Sequence, residues 1–443
     1  MTSPFPRPIA SGACGDPETV TLTGVAHGGE AVGRVEGLVA FVRLGLPGEV
    51  VRVEPVERKA RFLRGRAIEV LAPSPVRTTA PCPIFGTCGG CHWQHATYSA
   101  QLEFKTQVLR DQLARLAGLP DPPVEPPVPS PQEWHYRNTV QLVPDSRGGA
   151  RLLCFRQFHS HQLVPVEHCY ISDELINRCL GEAPWAALDD ATWSTLGAIE
   201  VRVVPHRAVQ LTLAGKRLPS RSQVEAFAAR TREAIPQLAG VLVAYERGGR
   251  PVLVWGTDTL EYELAGFRLA VPAGTFIQVN LGAAERLVEQ VLAWLEPGPA
   301  DVALDAYAGA GTFTLPLARR AAAVTAIEAQ VAAAEAAAAN AAAAGLANVA
   351  VHARLAEDVM TQLQGTIDLA VLDPPRRGCS AVVLAALARL RPRRIAYVSC
   401  EPSTLARDVR FLVGHGYRLA RARVVDMFPQ TYHLESVSLL ERR

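Results

Sequence analysis

The sequence predicts a multi-domain α/β protein with a small N-terminal β-barrel, a central α/β domain and a C-terminal doubly wound sheet. Residues 18–72 alternate apolar and polar positions between Gly-rich turns, which is the pattern of short, half-buried strands. A proline-punctuated linker follows at 73–83. From residue 268 onward, short apolar strands alternate with Ala-rich helices, as in parallel sheets. The predicted domains therefore span residues 18–72, 73–267 and 268–443.

The composition describes a soluble globular protein and limits its partners. The 443 residues are 49% hydrophobic and 20% charged, and the formal net charge is only +2. A nucleic-acid surface would therefore need local clustering of basic residues. No apolar run is long enough to span a membrane, and residues 1–6 lack a signal-peptide layout, so we expect a cytoplasmic protein with reduced thiols. Nine cysteines in such a chain favour metal binding or catalysis over disulfides.

The predicted barrel contains four strands and a run of positive charge. The strands are Thr19–Thr23, Leu38–Arg43, Glu49–Glu54 and Arg64–Leu71. Residues 58–66 carry five basic side chains and no acidic one. On a small barrel such a run suits RNA phosphates, although a solvated charged strand edge would have the same composition. Both interpretations stay open on the sequence alone.

Three cysteines lie in a Gly-rich loop with the spacing C-x5-C-x2-C, namely Cys82, Cys88 and Cys91. Glycines let backbone amides approach the sulfur atoms, so the loop could wrap around one metal centre. The spacing differs from the paired C-x2-C motifs of a zinc ribbon and favours a structural iron–sulfur cluster. A fourth ligand is needed, for which we favour Cys169 over Cys154 and Cys179.

Amphipathic patterning predicts three helices in the central part of the chain, at Tyr98–Leu116, Asp173–Leu180 and Ser220–Ala234. Segments 135–138 and 155–159 combine aromatic, basic and amide side chains. Such combinations stack on unpaired bases and bind phosphates, although core aromatics beside solvated charges are more common. The sequence therefore predicts an α/β substrate domain without identifying its contacts.

The C-terminal part predicts a doubly wound sheet. Its strands are Ala303–Ala306, Ala323–Ile327, Ala350–Ala353, Leu369–Leu372 and Arg394–Val398. Ala-rich helices such as Val331–Ala344, closed by Gly345, lie between them. Because parallel strands present their carboxyl ends at one sheet edge, residues that follow these strands are expected to share a site.

A Gly-rich turn follows the first of these strands. Gly309 and Gly311 would let the backbone approach a nucleoside closely, and Glu328 at the end of the next strand could accept both ribose hydroxyls. Thr314 replaces the third glycine of the dinucleotide fingerprint, which argues against NAD. Asp373, followed by two prolines, ends the fourth strand at the same predicted edge.

Cys400 ends the fifth strand. Glu401 and Pro402 suit the first turn of a following helix, whose positive end would favour the thiolate. A cysteine in this position can act as a nucleophile, although a small apolar side chain at the end of a buried strand is equally compatible with the pattern.

Five segments together resemble the RNA 5-methyluridine methyltransferases. They are Phe276-Ile277-Gln278-Val279-Asn280, residues 309–311, Asp373-Pro374-Pro375-Arg376, Ser399-Cys400-Glu401-Pro402 and residues 426–437. The N-terminal region resembles a TRAM domain, a small RNA-binding barrel. With the cysteine loop at 82–91, the chain is most similar to the iron–sulfur branch that methylates 23S ribosomal RNA. The resemblance extends from about residue 18 to the C-terminus.

The resemblance implies a Rossmann-like methyltransferase domain with S-adenosylmethionine as methyl donor, besides a 4Fe-4S cluster on the cysteine loop. The cofactor positions that it implies are Gln278, Tyr307, Gly309, Gly311, Thr312, Glu328 and Asp373. Asp373 could bind the uracil edge, the ammonium group of the donor, or both.

The resemblance also implies covalent catalysis. Uracil C5 is too weak a nucleophile to take a methyl group directly, so the Cys400 thiolate attacks C6 and activates C5. Glu435 then removes the C5 proton, with His433 as the next candidate base. The target base must leave its stack to reach the thiol.

Two other classes share some of these features. Radical methylthiotransferases also pair three cysteines with a TRAM-like barrel, but their spacing is C-x3-C-x2-C. A non-catalytic RNA-binding protein would leave Cys400, Glu435 and the glycine turn unexplained. We therefore expect RNA as the partner, with 23S rRNA favoured and tRNA open, no membrane, and a monomeric chain.

Overall fold

The computed structural model describes residues 15–147, 149–246 and 249–443. Residues 1–6, which we expected to lack a signal-peptide layout, lie outside these ranges. The N-terminal barrel is closed in the order β1-β2-β3-β5-β4. Its strands are β1 Glu18–Val25, β2 Ala31–Val35, β3 Leu38–Arg43, β4 Val50–Arg58 and β5 Phe62–Ala72. The structure thus confirms the barrel and adds β2, which the sequence analysis missed.

The missed strand has a clear physical reason. β2 is only five residues long and contains Gly33, a residue that usually weakens a strand. A Cβ atom on Gly33 would lie 2.3 Å from the carbonyl oxygen of Thr21 on β1. Close approach of the two strands therefore requires glycine at this position.

The first helix, α1 Tyr98–Leu116, has the predicted bounds. It lies within the predicted central domain, yet its apolar face packs against the C-terminal part of the chain. Val108, Leu109 and Leu113 share a hydrophobic core with residues of the C-terminal sheet. Burial of this face places the segment that follows the cysteine loop against the C-terminal sheet.

The central sheet has seven strands in the order β12-β11-β10-β9-β6-β7-β8. They are β6 Thr139–Arg147, β7 Ala150–Arg156, β8 Leu163–Pro165, β9 Leu196–Val204, β10 Ala208–Gly215, β11 Leu238–Tyr245 and β12 Val252–Gly256. Helices α2 Glu174–Glu182, α3 Asp190–Thr195 and α4 Arg221–Ala234 share one apolar core with this sheet. A capping box of Ser220 and Gln223 begins α4.

A β-hairpin of β13 Thr259–Leu264 and β14 Phe267–Pro272 precedes the C-terminal sheet. The sheet order is β17-β16-β15-β18-β19-β21-β20. Its strands are β15 Val302–Ala306, β16 Ala323–Ile327, β17 Val349–His352, β18 Leu369–Leu372, β19 Arg394–Ser399, β20 Tyr417–Val424 and β21 Ser436–Arg442. The first five run parallel to one another, and β21 is antiparallel to both neighbours. This confirms the predicted α/β sheet and all five of its predicted strands.

The helices of this part are α5 Leu281–Leu295, α6 Thr314–Ala318, α7 Val331–Ala343, α8 Ala356–Gln362, α9 Ala381–Leu390 and α10 Pro402–Gly414. They contribute to two apolar cores that include alternate residues of the sheet strands. Glu435 lies just before β21 begins at Ser436. Among the described residues, no helix combines the length and apolar character needed to cross a membrane.

Candidate functional site

Strand register brings the predicted catalytic residues to one edge of the C-terminal sheet. Ser399 at the end of β19 is paired with Ser436 at the start of β21. Cys400 and Glu435 are the next residues outward on these two neighbouring strands. Leu372 on β18 is paired with Tyr397, so Asp373 lies at the same edge. Because β21 pairs antiparallel with β19, Glu435 lies at the same sheet edge as Cys400 although the two are far apart in the sequence.

The environment of Cys400 differs from the sequence expectation. The thiol is half-buried, and burial followed by the carboxyl groups of Glu435 and Asp373 raises its pKa to about 11. The Arg376 guanidinium acts in the opposite direction. The expectation that the start of α10 would favour the thiolate is therefore wrong for this arrangement, because burial and two nearby carboxyl groups outweigh the helix end.

The two carboxyl groups beside Cys400 are buried and affect each other. Burial raises the pKa of Glu435 well above its ordinary value, and the charge of Asp373 raises it further. Burial and the nearby Asp305 raise the pKa of Asp373 to about 7. The Oε1 atom of Glu435 is buried and has no hydrogen-bond partner. A carboxyl group with a free oxygen and a raised pKa is suited to proton transfer near neutral pH.

His433 lies beside Arg376. Its Nδ1 atom is 3.2 Å from Nη2 of Arg376. Burial and the Arg376 charge lower the pKa of His433 to about 4, so the ring is neutral at pH 7. A neutral ring can accept a hydrogen bond from the guanidinium and hold it beside Cys400.

The glycine turn after β15 has the geometry of a nucleoside-binding cradle. Gly309 and Gly311 have φ angles of +56° and +101°, a region that side chains rarely adopt. A Cβ atom on Gly311 would also lie 2.5 Å from Cδ1 of Leu315. The backbone N–H of Gly309 donates to Oε2 of Glu328 at 2.9 Å. The predicted turn and the predicted carboxylate are thus in direct contact.

The threonine that replaces the third glycine has a structural role. The Thr314 hydroxyl donates to Oδ2 of the fully buried Asp305. Burial raises the pKa of Asp305 to about 7, and its Oδ1 atom has no partner. Thr312 lies on the same turn, between Gly311 and α6. The departure from the dinucleotide fingerprint is therefore explained by a buried hydrogen bond.

Tyr307 and Gln278 are the remaining predicted cofactor positions. Tyr307 follows β15 directly and has a left-handed φ of +70°. Gln278 is buried, and its backbone carbonyl accepts a hydrogen bond from the Asn138 amide at 2.9 Å. Asn340 on α7, which the sequence analysis did not single out, donates to the carbonyl of Ala310 at 3.0 Å. This hydrogen bond fixes the glycine turn to the helix beneath it.

All four predicted metal ligands line one cavity of about 290 Å³, namely Cys82, Cys88, Cys91 and Cys169. The charge of Cys169 contributes to the raised pKa of each of the other three thiols, after the larger effect of burial. The rivals Cys154 and Cys179 are fully buried in β7 and α2, outside this cavity. Among the described residues, no group of three or more acidic, histidine or cysteine side chains that could hold a metal ion is found.

The cysteine loop contacts all three parts of the chain. The backbone N–H of Gly89 donates to Arg156 at the end of β7. Arg43 of the barrel donates to the carbonyl of Gly86 at 3.2 Å. The backbone N–H groups of His92 and Trp93, just after the loop, both donate to the carbonyl of Gln430. The loop is therefore connected directly to the 426–435 segment that carries Glu435.

A fully buried ion pair holds the same segment from the other side. Nζ of Lys105 on α1 lies 2.6 Å from Oδ1 of Asp426 and donates to the carbonyl of Phe428. Lys105 is one of only three lysines in an Arg-rich chain and lies on the apolar face of its helix. That exception to the composition was a usable signal that the sequence analysis passed over.

The N-terminal barrel reaches the turn after Cys400. Nε2 of His27, in the β1–β2 loop, lies 3.0 Å from Oε1 of Glu401. This hydrogen bond is the main reason why the pKa of Glu401 falls to about 2. Glu401 also caps the start of α10. The barrel therefore supports the loop that presents the thiol.

Between the barrel and the C-terminal sheet lies a cleft of about 680 Å³, which we call the catalytic cleft. Its lining includes Arg43, Arg64 and Arg66 from the barrel and Arg376 and Cys400 from the sheet edge. Only part of the basic run at 58–66 therefore lines the cleft. Alternation along β5 directs Arg64 and Arg66 to the cleft. Ion pairs with barrel glutamates occur in both parts of the run. Arg58 pairs with Glu18 and Lys59 with Glu57, while Arg64 and Arg66 lie 3.6 and 3.7 Å from Glu30 and Glu54.

Family profiles match almost the whole chain. The profile described as tRNA (Uracil-5-)-methyltransferase matches residues 97–443, and a TRAM domain profile matches residues 15–68. Among curated relatives, an uncharacterized RNA methyltransferase of Streptomyces coelicolor is 37% identical over 100% of this chain and 96% of its own length. The 23S rRNA (uracil(1939)-C(5))-methyltransferase of Alkalilimnicola ehrlichii is 35% identical over 96% of this chain and 97% of its own.

A solved structure has a similar fold. The Pyrococcus abyssi tRNA (uracil-54, C5)-methyltransferase, in complex with S-adenosyl-L-homocysteine, superposes with a TM-score of 0.71 at 24% identity. The match covers 96% of this chain and 100% of that one. At this identity the similarity concerns the fold alone.

Proposed function

Because the chain belongs to the RNA (uracil-5-)-methyltransferases and carries an N-terminal TRAM domain, we propose that it methylates 23S rRNA through a covalent Cys400 adduct. The enzyme uses S-adenosylmethionine to methylate C5 of uracil in RNA. Family membership excludes both the radical methylthiotransferase and the non-catalytic alternative. The observation that carries the covalent mechanism is the pairing of Ser399 with Ser436, which puts Cys400 and Glu435 at one sheet edge.

The first chemical step falls to Cys400. Its sulfur attacks C6 of the flipped uracil, the C5–C6 double bond opens toward the C4 carbonyl, and C5 becomes nucleophilic. The pKa of about 11 means that the thiol must lose its proton to a neighbour during attack. Asp373, with a pKa of about 7, is the carboxyl group best matched to accept that proton. Once protonated, it can donate to the uracil edge.

The second step falls to Glu435. S-adenosylmethionine, when bound, supplies an electrophilic methyl group that C5 takes up. Glu435 then removes the C5 proton, the C5–C6 double bond re-forms, and the Cys400 sulfur leaves C6. The unpartnered, buried Oε1 atom of Glu435 supports this role because a base needs a free lone pair.

The cofactor residues fit a bound nucleoside. Gly311 has a φ angle of +101°, which residues with side chains rarely adopt, and Glu328 keeps acceptor capacity beyond its backbone hydrogen bonds. Glu328 would hold the ribose hydroxyls, Gln278 and Tyr307 would flank the cofactor, and Asp373 would face its methyl end. Thr312 would contribute from the turn.

The relative from Alkalilimnicola ehrlichii supports ribosomal RNA as substrate, since its similarity covers 96% of this chain. We expect 23S rRNA from cells lacking the protein to lose one 5-methyluridine, and tRNA to keep all of its own. Mass mapping of both RNA pools would measure this. Complementation with the wild-type gene, but not with Cys400→Ala, should restore the modification. Loss of a tRNA site instead would assign the enzyme to tRNA.

We also propose a 4Fe-4S cluster on Cys82, Cys88, Cys91 and Cys169. These thiols share one cavity, and the Gly90 N–H lies 3.4 Å from the Cys88 sulfur. In a four-iron cluster each thiolate binds a different iron, so the sulfurs surround a volume and need not converge on one ion. Such a cluster would supply a structural anchor for the loop that hydrogen-bonds to Gln430.

Protein purified without oxygen is therefore expected to be brown and to contain iron and sulfide in equal amounts. Cys169→Ser should remove most of the iron, because it deletes one of four ligands. Cys154→Ser is the matched control, since Cys154 is buried in β7 away from the cavity, and it should keep the cluster. Iron analysis and visible absorption measure both. Zinc without sulfide in the wild type would contradict the assignment.

A further inference from the structure

A second cavity, of about 640 Å³, lies on the central sheet outside the catalytic cleft. Its floor is formed by small residues of neighbouring strands, Gly197 and Ala198 on β9 and Ala214 on β10. Ala198 and Ala214 are directly paired across the two strands. Helices α2, α3 and α4 share the apolar core made by alternate strand residues such as Ile199 and Leu213. Ala198 and Ala214 have the other parity and therefore face the opposite side of the sheet, and the strand register shifts beside them at Gly197. The small size of these residues leaves an open basin above the sheet.

Aromatic side chains form the walls of this basin. Phe155 and Phe158 line it at the end of β7, and Tyr245 lines it at the end of β11. The side chain of Tyr245 is 59% exposed, which is unusual for a ring that could pack in the core. Exposed aromatic rings on a sheet surface are a common platform for stacking unpaired nucleobases.

The charges of the basin distinguish a base from a phosphate. A Cβ atom on Gly197 would lie 2.5 Å from the Glu246 carboxylate, so this carboxylate lies directly over the floor. A carboxylate repels phosphate but accepts hydrogen bonds from the N–H groups of a base. Exposed Arg156 lines the same basin and can bind the attached phosphate. The occupant that fits is therefore a nucleotide with its base on the sheet.

The basin adjoins the catalytic cleft. Phe158, His159 and His433 line both cavities, as do Gln157 and Tyr432. An RNA strand that places a uracil against Cys400 would therefore pass the mouth of the basin. We propose that the basin binds a second unpaired nucleotide of the RNA substrate, a few positions from the target uridine, and so contributes to substrate selection. This inference rests on the proposed function for the position of the target.

The test measures binding only, with Cys400→Ala as the parent protein so that no adduct forms. Two fluorescein-labelled RNA octamers serve as probes. The first contains a single uridine, and the second has the same backbone and uridine but lacks the bases at its seven other positions. Adding Tyr245→Ala should weaken binding of the intact octamer by about 5- to 100-fold, because one stacked base is lost. Binding of the abasic probe should change less than about twofold, since its phosphate contacts remain.

Two further variants make the result specific. Ala214→Leu should reproduce the selective loss by filling the basin. Val252→Ala, on the exposed edge strand β12 of the same sheet, should bind both probes like the parent. Equal weakening of both probes by Tyr245→Ala, or no weakening of either, would overturn the inference. If Tyr245→Ala gives the selective loss but the wild-type protein, assayed separately, methylates no RNA, the nucleotide site stands and the proposed function is overturned.

Discussion

Cys400→Ala is expected to abolish uracil methylation, by about 10⁴-fold or more, because no sulfur remains to open the C5–C6 double bond. It should also prevent any covalent bond to RNA. The measurement is transfer of a labelled methyl group from S-adenosylmethionine to RNA lacking the modification. A denaturing gel of protein incubated with that RNA detects the adduct.

The cofactor and the fold should survive this change. Cys400 is only partly buried, and its removal leaves Glu435, Asp373 and the glycine turn in place. S-adenosylmethionine binding and the melting temperature should therefore remain close to wild type. Cys154→Ala is the matched control for loss of a thiol, and it should retain methylation. Persistent methylation by Cys400→Ala would remove Cys400 from the mechanism.

Glu435→Gln is expected to stop the reaction at a later stage. Sulfur attack and methyl transfer remain possible, but the C5 proton has no base to accept it, so the sulfur cannot leave C6. Methylated RNA should accumulate bonded to Cys400 and migrate with the protein on a denaturing gel. Overall turnover should fall by about 10²- to 10⁴-fold, the usual contribution of a general base.

An amide has nearly the same size as the carboxylate, which limits structural damage at this buried position. The charge of Glu435 raises the pKa of Cys400, so its removal should leave the thiol at least as reactive toward iodoacetamide. Normal turnover without an adduct would assign the proton to another group. His433→Gln, tested in parallel, should not trap the adduct, because its neutral ring is hydrogen-bonded to Arg376.

Local patterns in the sequence were sufficient for most secondary structure. α1 has the predicted bounds because Leu109 and Leu113 recur at helical spacing and Gly118 and Pro120 follow it. Strands β16 and β18 also match, since short apolar runs between helices read clearly as buried strands. β2 was missed because its glycine is required by an approach to β1 that no local pattern records.

The functional site was likewise only partly predictable from local sequence patterns. The residue types and their places after strands 15, 16, 18 and 19 followed from the sequence, because parallel strands end at a common edge. The side chains that contact each of these residues could not be predicted from the sequence. His27 meets Glu401 across more than 370 positions of sequence, and Lys105 meets Asp426 across 321.

By itself the sequence determined the order of barrel, central sheet and C-terminal sheet, the turn that presents Cys400 and the cysteine loop, since these depend on residues close together in the chain. Only the tertiary structure decided that Glu435 enters beside Cys400, that Cys169 shares the cavity of the loop, and that the Cys400 pKa rises instead of falling. The physical reason is that desolvation and charge depend on which segments pack together, and packing is set by the whole chain.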